Sequence, residues 1–442
     1  MIIPGGKTCL VTQLNLGLAT PNAATTAGKV AQGITIKGTS HISQQEIAGA
    51  PPPSRLLINP KSPSASRCSL LQNNINVEGG IVMGPSVAYI NIEDLQIQAG
   101  PNLRSCIISA SHKIGSDPTG DPINLRFRRV GFIGNGATTN AGLYLGNAGW
   151  VTVEQSVFAG SRYAILQDGD GNYLVNSIFT GNLVYPISSA VNTQEAFVSL
   201  GATAGLLFNG NSFENGPNAL YIGTMFGGEV TSNWFNPERE FTTSGIWIDV
   251  GCAGCTIKGN WMTSGFDGIL SRGNDGGIVS GNYFFGLMGT PLRIFGGSLT
   301  VEGNSFDYPS TGTNGDRADI DVMSGKGHYI GPNSYHSTVS RSTRYSMNLS
   351  SGTSGTLVYD SSTDHTKEGI LDRSNGRWNN IGSGRVGIGT INPKTNMEVA
   401  SGDIYASGPG KGLILRSPNG IVCKRVGIDD NGALVATSIS CP

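Results

Sequence analysis

The sequence predicts an all-β fold: a right-handed parallel β-helix followed by a small C-terminal β module. Three observations carry this. Short segments recur about every 22 residues, apolar and polar residues alternate within them, and 65 of 442 residues are glycine while only 13% are charged. Ordinary soluble domains carry about 7% glycine and roughly 25% charged residues. Many glycines with few charges suit a chain of tight turns between short strands.

The recurring segments are Val153-Glu-Gln-Ser-Val-Phe158, Val175-Asn-Ser-Ile-Phe179, Phe208-Asn-Gly-Asn-Ser-Phe213 and Val230-Thr-Ser-Asn-Trp-Phe235, then Ile257-Lys-Gly-Asn-Trp-Met262, Val279-Ser-Gly-Asn-Tyr-Phe284 and Val301-Glu-Gly-Asn-Ser-Phe306. Aligned on the amide they give the column Gln155, Asn176, Asn211, Asn233, Asn260, Asn282 and Asn304, with gaps of 21, 35, 22, 27, 22 and 22 residues. A second strand repeats in step: Gly142-Leu-Tyr-Leu145, Ala164-Ile-Leu-Gln167, Pro186-Ile-Ser-Ser189, Ala219-Leu-Tyr-Ile222, Gly245-Ile-Trp-Ile248, Gly268-Ile-Leu-Ser271 and Pro291-Leu-Arg-Ile294. Two short alternating strands per period, broken by Gly and Asn, read as β structure.

A unit of 22 residues cannot bury its own apolar face, so the units must stack. At a spacing of about 4.8 Å each backbone finds partners above and below, and like side chains form ladders. Asn211 to Asn304 become an amide ladder at a bend, and Phe213, Phe235, Met262, Phe284 and Phe306 an interior column. Tyr89-Ile-Asn-Ile-Glu-Asp-Leu-Gln-Ile and Leu125-Arg-Phe-Arg-Arg-Val-Gly-Phe-Ile read as earlier coils. The expected organisation is a β-helix over 1–336, a Ser/Thr-rich linker or shoulder over 337–354, and a C-terminal β module over 355–442.

A formal net charge of −1 offers no electrostatic footprint for nucleic acid or an acidic membrane surface. No apolar run reaches the roughly 20 residues of a membrane helix, and the start Met1-Ile-Ile-Pro-Gly-Gly-Lys lacks the pattern of a secretory signal. The seven cysteines are read mostly as free thiols of a protein made in a reducing cytosol, with Cys252-Ala-Gly-Cys255 a structural turn rather than a zinc knuckle. Asp168-Gly-Asp-Gly171 lacks the other ligands of a calcium loop. The five histidines are scattered and no phosphate-cradling Gly-Lys-Ser/Thr loop occurs. No metal or cofactor is expected.

Val386-Gly-Ile-Gly-Thr-Ile-Asn-Pro393 followed by Met397-Glu-Val resembles the C-terminal β modules of phage tail fibres and tailspikes, as do Ser417-Pro-Asn-Gly420 and Asp429-Asp-Asn-Gly432. Ile2-Ile-Pro-Gly-Gly-Lys-Thr-Cys-Leu-Val11 resembles the early strand of pectate-lyase-like tailspike β-helices, with Gly33-Ile-Thr-Ile-Lys-Gly38 in the next coil. The sequence starts inside that pattern, without the particle-anchoring region such proteins commonly carry. The resemblance implies a homotrimer, attachment to phage tail or baseplate proteins, a place on the virion tail, and action at the bacterial surface. It further implies binding of capsule or O-antigen polysaccharide and its depolymerisation by glycoside hydrolysis. A non-enzymatic receptor-binding spike and a polysaccharide lyase are the alternatives.

Strand alternation sorts the candidate site residues. With Leu143, Ile165, Leu220, Ile246, Ile269 and Leu292 inward, the outward columns are Tyr144, Leu166, Ser188, Tyr221, Trp247, Leu270, Arg293 and then Gly146, Asp168, Ala190, Gly223, Asp249, Arg272, Phe295. Tyr221, Trp247, Arg272, Arg293 and Asp168 are the expected sugar-binding residues, because aromatic rings offer flat apolar faces with a polar edge. The same face could equally be a subunit interface. Hydrolysis of a glycoside needs two carboxylates. Glu214 and Asp307 lie outward beyond the Phe column, and the enlarged turn Asn236-Pro-Glu-Arg-Glu-Phe241 adds Glu238 and Glu240. The expected acid–base group is Glu214, Glu238 and Asp249.

Overall fold

The computed structural model describes residues 1–16, 33–39, 53–64, 68, 79–83, 87–110, 123–136, 139–146, 148–167, 173–185, 198–214, 219–236, 244–307, 317–336, 345–359, 370–373, 379–380, 386–388, 397–399 and 412–441. The described residues form strands and turns. The strands of the first compact unit, Met1–Gly384, pair in parallel from coil to coil. Pairing begins at the N-terminus, where Ile2 and Ile3 lie in register with Lys37 and Gly38.

One inward column shows how far the stack runs. Ile81, Ile108, Leu143, Ile165, Val198, Leu220, Ile246, Ile269, Leu292, Ile320 and Met347 follow one another in direct register. All are buried. Each coil adds a second strand, such as Glu229–Thr231, and a third, such as Trp234–Asn236. The third strands place Phe213, Phe235, Met262, Phe284, Phe306 and Tyr335 above one another, the expected interior column extended by one. Phe284 and Phe306 stack with ring centroids 5.0 Å apart.

The amide ladder stands between the second and third strands. Asn233 Nδ2 donates to Phe208 O and to Asn260 Oδ1, both at 2.9 Å. Its own Oδ1 accepts from Asn211 N and Asn211 Nδ2, also at 2.9 Å. A buried amide with its donors and acceptor so filled stabilises the stack, whereas an empty one would cost about 1–3 kcal/mol. The ladder runs Asn182, Asn211, Asn233, Asn260, Asn282, Asn304, Asn333. Two expected members are therefore corrected. Gln155 occupies the preceding left-handed position (φ 49°), in line with Gly181 and Gly210, and Asn176 (φ 45°) belongs to the other bend, in line with Gly205. Both bends need one residue at positive φ, where Gly and Asn are favoured, so their sequences look alike.

The stack also continues past the expected boundary. Tyr345–Ser354 pairs with Ala318–Lys326, and Ile370–Asp372 pairs with Tyr345–Ser354 in turn. The segment assigned to a linker over 337–354 thus contains a coil strand. Its apolar Tyr345, Met347 and Leu349, all buried, alternate with Ser and Asn as a strand should, but Met347 follows its partner Ile320 by 27 residues, outside the 22-residue spacing.

The expectation of mostly free thiols is overturned as well. The structure pairs Cys68 with Cys106, Cys252 with Cys255, and Cys423 with Cys441, leaving Cys9 free. Stacking brings Cys68 and Cys106 to a Cα separation of 5.6 Å across 38 residues, a proximity that cysteine spacing alone does not reveal.

The second unit, Arg385–Pro442, contains the parallel pair Val386–Ile388 and Met397–Val399 and a three-stranded antiparallel sheet of Leu413–Arg416, Cys423–Ile428 and Leu434–Ile439. The turns between these strands fall at Asn419-Gly420 and Asn431-Gly432. Gly420 and Gly432 hold φ of 75° and 81°, and Asp429 Oδ1 accepts from the Asn431 and Ala433 amides at 2.9 Å.

Candidate functional site

The outward face of the first strands gathers most of the expected binding residues. Tyr221, Trp247, Leu270 and Arg293 stand in one column on successive coils. The column continues to Asp321 and Asn348. Upstream, Ser199 pairs with Tyr221, so Ser199 and not Ser188 fills that coil. Tyr144 is buried against Cys68 and Cys106, which removes it from the solvent face.

Asp249 owes its position to a β-bulge. Ile222 and Thr224 of one neighbour match Ile248 and Gly251, and Ser271 and Asn274 of the other match Ile248 and Cys252. The coil therefore carries one extra residue at Asp249-Val250 relative to both neighbours, an irregularity that re-aims side chains beside a site. Tyr221 OH donates to Asp249 Oδ2 at 3.1 Å, and Arg272 Nη1 bonds Asp249 Oδ1 at 3.0 Å. The Arg272 guanidinium lies 5.9 Å from the Trp247 ring and 5.3 Å from the Phe295 ring. Trp247 meets Tyr221 edge to face at 5.4 Å. Burial, reinforced by the Asp249 charge and its hydrogen bond, raises the Tyr221 phenol above its ordinary pKa despite Arg272, so it remains a donor.

Beside this cluster lies a second, which sequence reasoning missed. Arg293 Nη1 is 3.0 Å from Asp267 Oδ2, and Arg293 Nε is 3.9 Å from Asp321 Oδ2. Asp267 Oδ1 accepts from Thr290 N at 2.7 Å, and Asp321 Oδ1 accepts from Asn348 Nδ2 at 2.7 Å. Burial pushes both carboxyls above the ordinary Asp value, against the opposing pull of Arg293. Because both carboxylates reach one guanidinium, they stand no farther apart than the ~6.5–9.5 Å that admits a water in inverting glycosidases. The sequence signal was faint: Asp321 follows Arg293 by 28 residues, outside the 22-residue register.

The expected trio of carboxylates is dispersed in what is described. Asp249 joins the first cluster, while Glu214 ends a third strand in register with Asn236. Glu238 and Asp168 lie outside the described residues. Among the described residues no group of three or more His, Cys, Asp or Glu is placed to hold a metal ion.

The family model described as right handed beta helix region matches residues 123–306. The first unit is a right-handed parallel β-helix. Among solved structures the chain is similar to DFA-IIIase from Arthrobacter chlorophenolicus A6 in complex with GF2, at 13% identity over 82% of this chain and 84% of that one, TM-score 0.48. It is similar also to tailspike protein 3 of bacteriophage CBA120, at 11% identity over 100% of this chain and 64% of that one, TM-score 0.48. A third similar structure is the catalytic domain of a GH87 alpha-1,3-glucanase, at 10% identity over 90% of this chain and 64% of that one, TM-score 0.33. No curated protein sequence matches the chain.

Proposed function

We propose that this chain is a phage tailspike-type protein that binds a bacterial surface polysaccharide, capsule or O-antigen, and cuts it by glycoside hydrolysis. The observation that carries the reading is the bulge-mounted cluster of Tyr221, Trp247, Asp249 and Arg272 on the outward face of the β-helix. A ring face, a carboxylate and a guanidinium within one small area match the mixed apolar and hydroxylated surface of a sugar. In this reading Trp247 and Tyr221 stack against sugar rings while Arg272 and Arg293 orient hydroxyl or acidic groups.

Asp249, which accepts from Tyr221 OH and pairs with Arg272, is assigned the carboxylate role toward water or the anomeric carbon. Glu238, which precedes in sequence the strand carrying Asp249, is assigned proton donation. A second catalytic reading rests on the Asp267–Arg293–Asp321 cluster, because burial favours the protonated carboxyl that a general acid requires. As a tailspike-type protein the chain would work as a homotrimer joined to phage tail or baseplate proteins.

Incubation with purified bacterial polysaccharides tests the activity. The expected result is shortening of one polymer with release of reducing ends and no new ultraviolet-absorbing double bond. Appearance of that absorbance would identify a lyase, and intact polymer throughout would leave a binding spike. Asp249→Asn, Glu238→Gln and Glu214→Gln are compared with Asp267→Asn and Asp321→Asn. The set that lowers cleavage by about 10²-fold or more identifies the catalytic group.

A further inference from the structure

The third strands carry a second outward column that the proposed site does not use. Trp234 stands in register with Trp261, and Trp261 with Tyr283, on three consecutive coils. The two indoles are 47% and 53% exposed. Trp261 meets Tyr283 edge to face at 5.0 Å, and Phe285, itself exposed, stacks parallel to Tyr283 at 6.3 Å. Inward, between these rings, Phe235, Met262 and Phe284 already fill the core. The fold does not require aromatics at the outward positions, since Ser212, Ser305 and Ser334 hold the same column on the flanking coils. Exposed rings confined to three adjacent coils are a liability unless they bind something.

Their surroundings select the ligand. The neighbouring outward column offers Asn236, Thr263 and Asp307 as hydrogen-bonding groups. Thr263 Oγ1 donates to Asn236 Oδ1 at 2.9 Å, and Tyr283 OH to Asp307 Oδ2 at 2.6 Å. Carboxylates bracket the patch, Glu214 on one side and Asp307 on the other. The buried centre of a protein–protein interface is depleted in Asp and Glu. Rings edged by amide, hydroxyl and carboxylate instead suit a chain of sugars, apolar on its C–H faces and polar around its rim. Coils about 4.8 Å apart set the rings at a pitch close to the length of one pyranose unit.

We propose that Trp234, Trp261 and Tyr283, with Phe285 beside them, form a second polysaccharide-binding surface, on which a glycan lies along the stack axis. The ligand class rests on the proposed function, but the surface is separate from the first-strand cluster and takes no part in bond cleavage.

The test uses the full chain in gels cast with purified capsular polysaccharide or lipopolysaccharide O-chain, where binding retards migration. Trp234→Ala/Trp261→Ala should weaken retardation by roughly tenfold or more, Trp261→Phe by less. Sedimentation of the double variant should match that of the parent. Unchanged retardation of the double variant overturns the second surface, and if the parent still cleaves polymer the proposed function survives. A shift of the double variant to a smaller species overturns it too, because the column would then be a contact between copies. A parent neither retarded by nor cleaving any of the polysaccharides sinks both readings.

Discussion

From Asn182 to Asn333 the stack fills its interior with superposed side chains, each ladder amide bonded to the next and each ring of the Phe column buried. The antiparallel sheet from Leu413 to Ile439 keeps its strands aligned but leaves apolar side chains in solvent, with Leu413, Ile428 and Leu434 60%, 72% and 78% exposed. Its unit, 385–442, has one aromatic residue, Tyr405, while all five tryptophans fall in the first unit. Identical backbone chemistry thus supports two ways of being stable. The coils are self-sufficient because every turn is the next turn's partner, whereas a lone three-stranded sheet with both faces wet is marginal and depends on covalent closure or on a covering surface.

The difference can be broken most forcefully inside the stack. Phe284→Ala should cost about 3–5 kcal/mol, read as an earlier tryptophan-fluorescence transition in denaturant. A loss under 1 kcal/mol would mean the Phe column is not the core. Asn260→Ala strips partners from Asn233 and from Val230 O. It should cost about 3 kcal/mol by the same readout. In the second unit, Cys441→Ser opens an 18-residue separation and should cost about 2–3 kcal/mol. That loss should appear in hydrogen exchange of the C-terminal strands while tryptophan fluorescence stays unmoved. If the fluorescence transition shifts as well, the two units are not independent.

A pH comparison sharpens the same contrast from the site side. Burial raises Asp267 and Asp321 above their ordinary value of 3.8, so the folded state binds more protons than the unfolded chain in the window above it. Their contribution must decline as pH rises through that window. Asp321→Asn should flatten the dependence in thermal melts, and a steeper one would reverse the assignment. The smallest effect is expected for Leu434→Ser, within about 0.5 kcal/mol if that side chain stays in solvent. A much larger loss, growing with protein concentration, would show that further copies cover the sheet, as a trimer requires.

How far these features could be read in advance depended on regularity. The Asn211–Asn304 ladder and the Phe213–Phe306 column follow from period alone, and Tyr221, Trp247, Asp249 and Arg272 follow once period and alternation are combined. Gln155 and Asn176 misled because two different bends demand the same left-handed backbone. Asp267 escaped because it opens a strand ahead of the aligned segment, Asp321 because it follows Arg293 outside the 22-residue register, and the Cys68–Cys106 pair because stacking, not sequence spacing, brings those thiols together. The Trp234–Trp261 pair was visible inside the repeat, yet only its exposure marks it out.

Successive ladder amides are 29, 22, 27, 22, 22 and 29 residues apart, yet their side-chain bonds stay between 2.9 and 3.0 Å. Insertions are absorbed where the chain leaves one rung for the next, and the spine does not register them. Such a molecule can exchange the loops along its rim, and with them what it recognises, without renegotiating how it folds. A descendant could thus inherit the scaffold unchanged and rewrite only the margin.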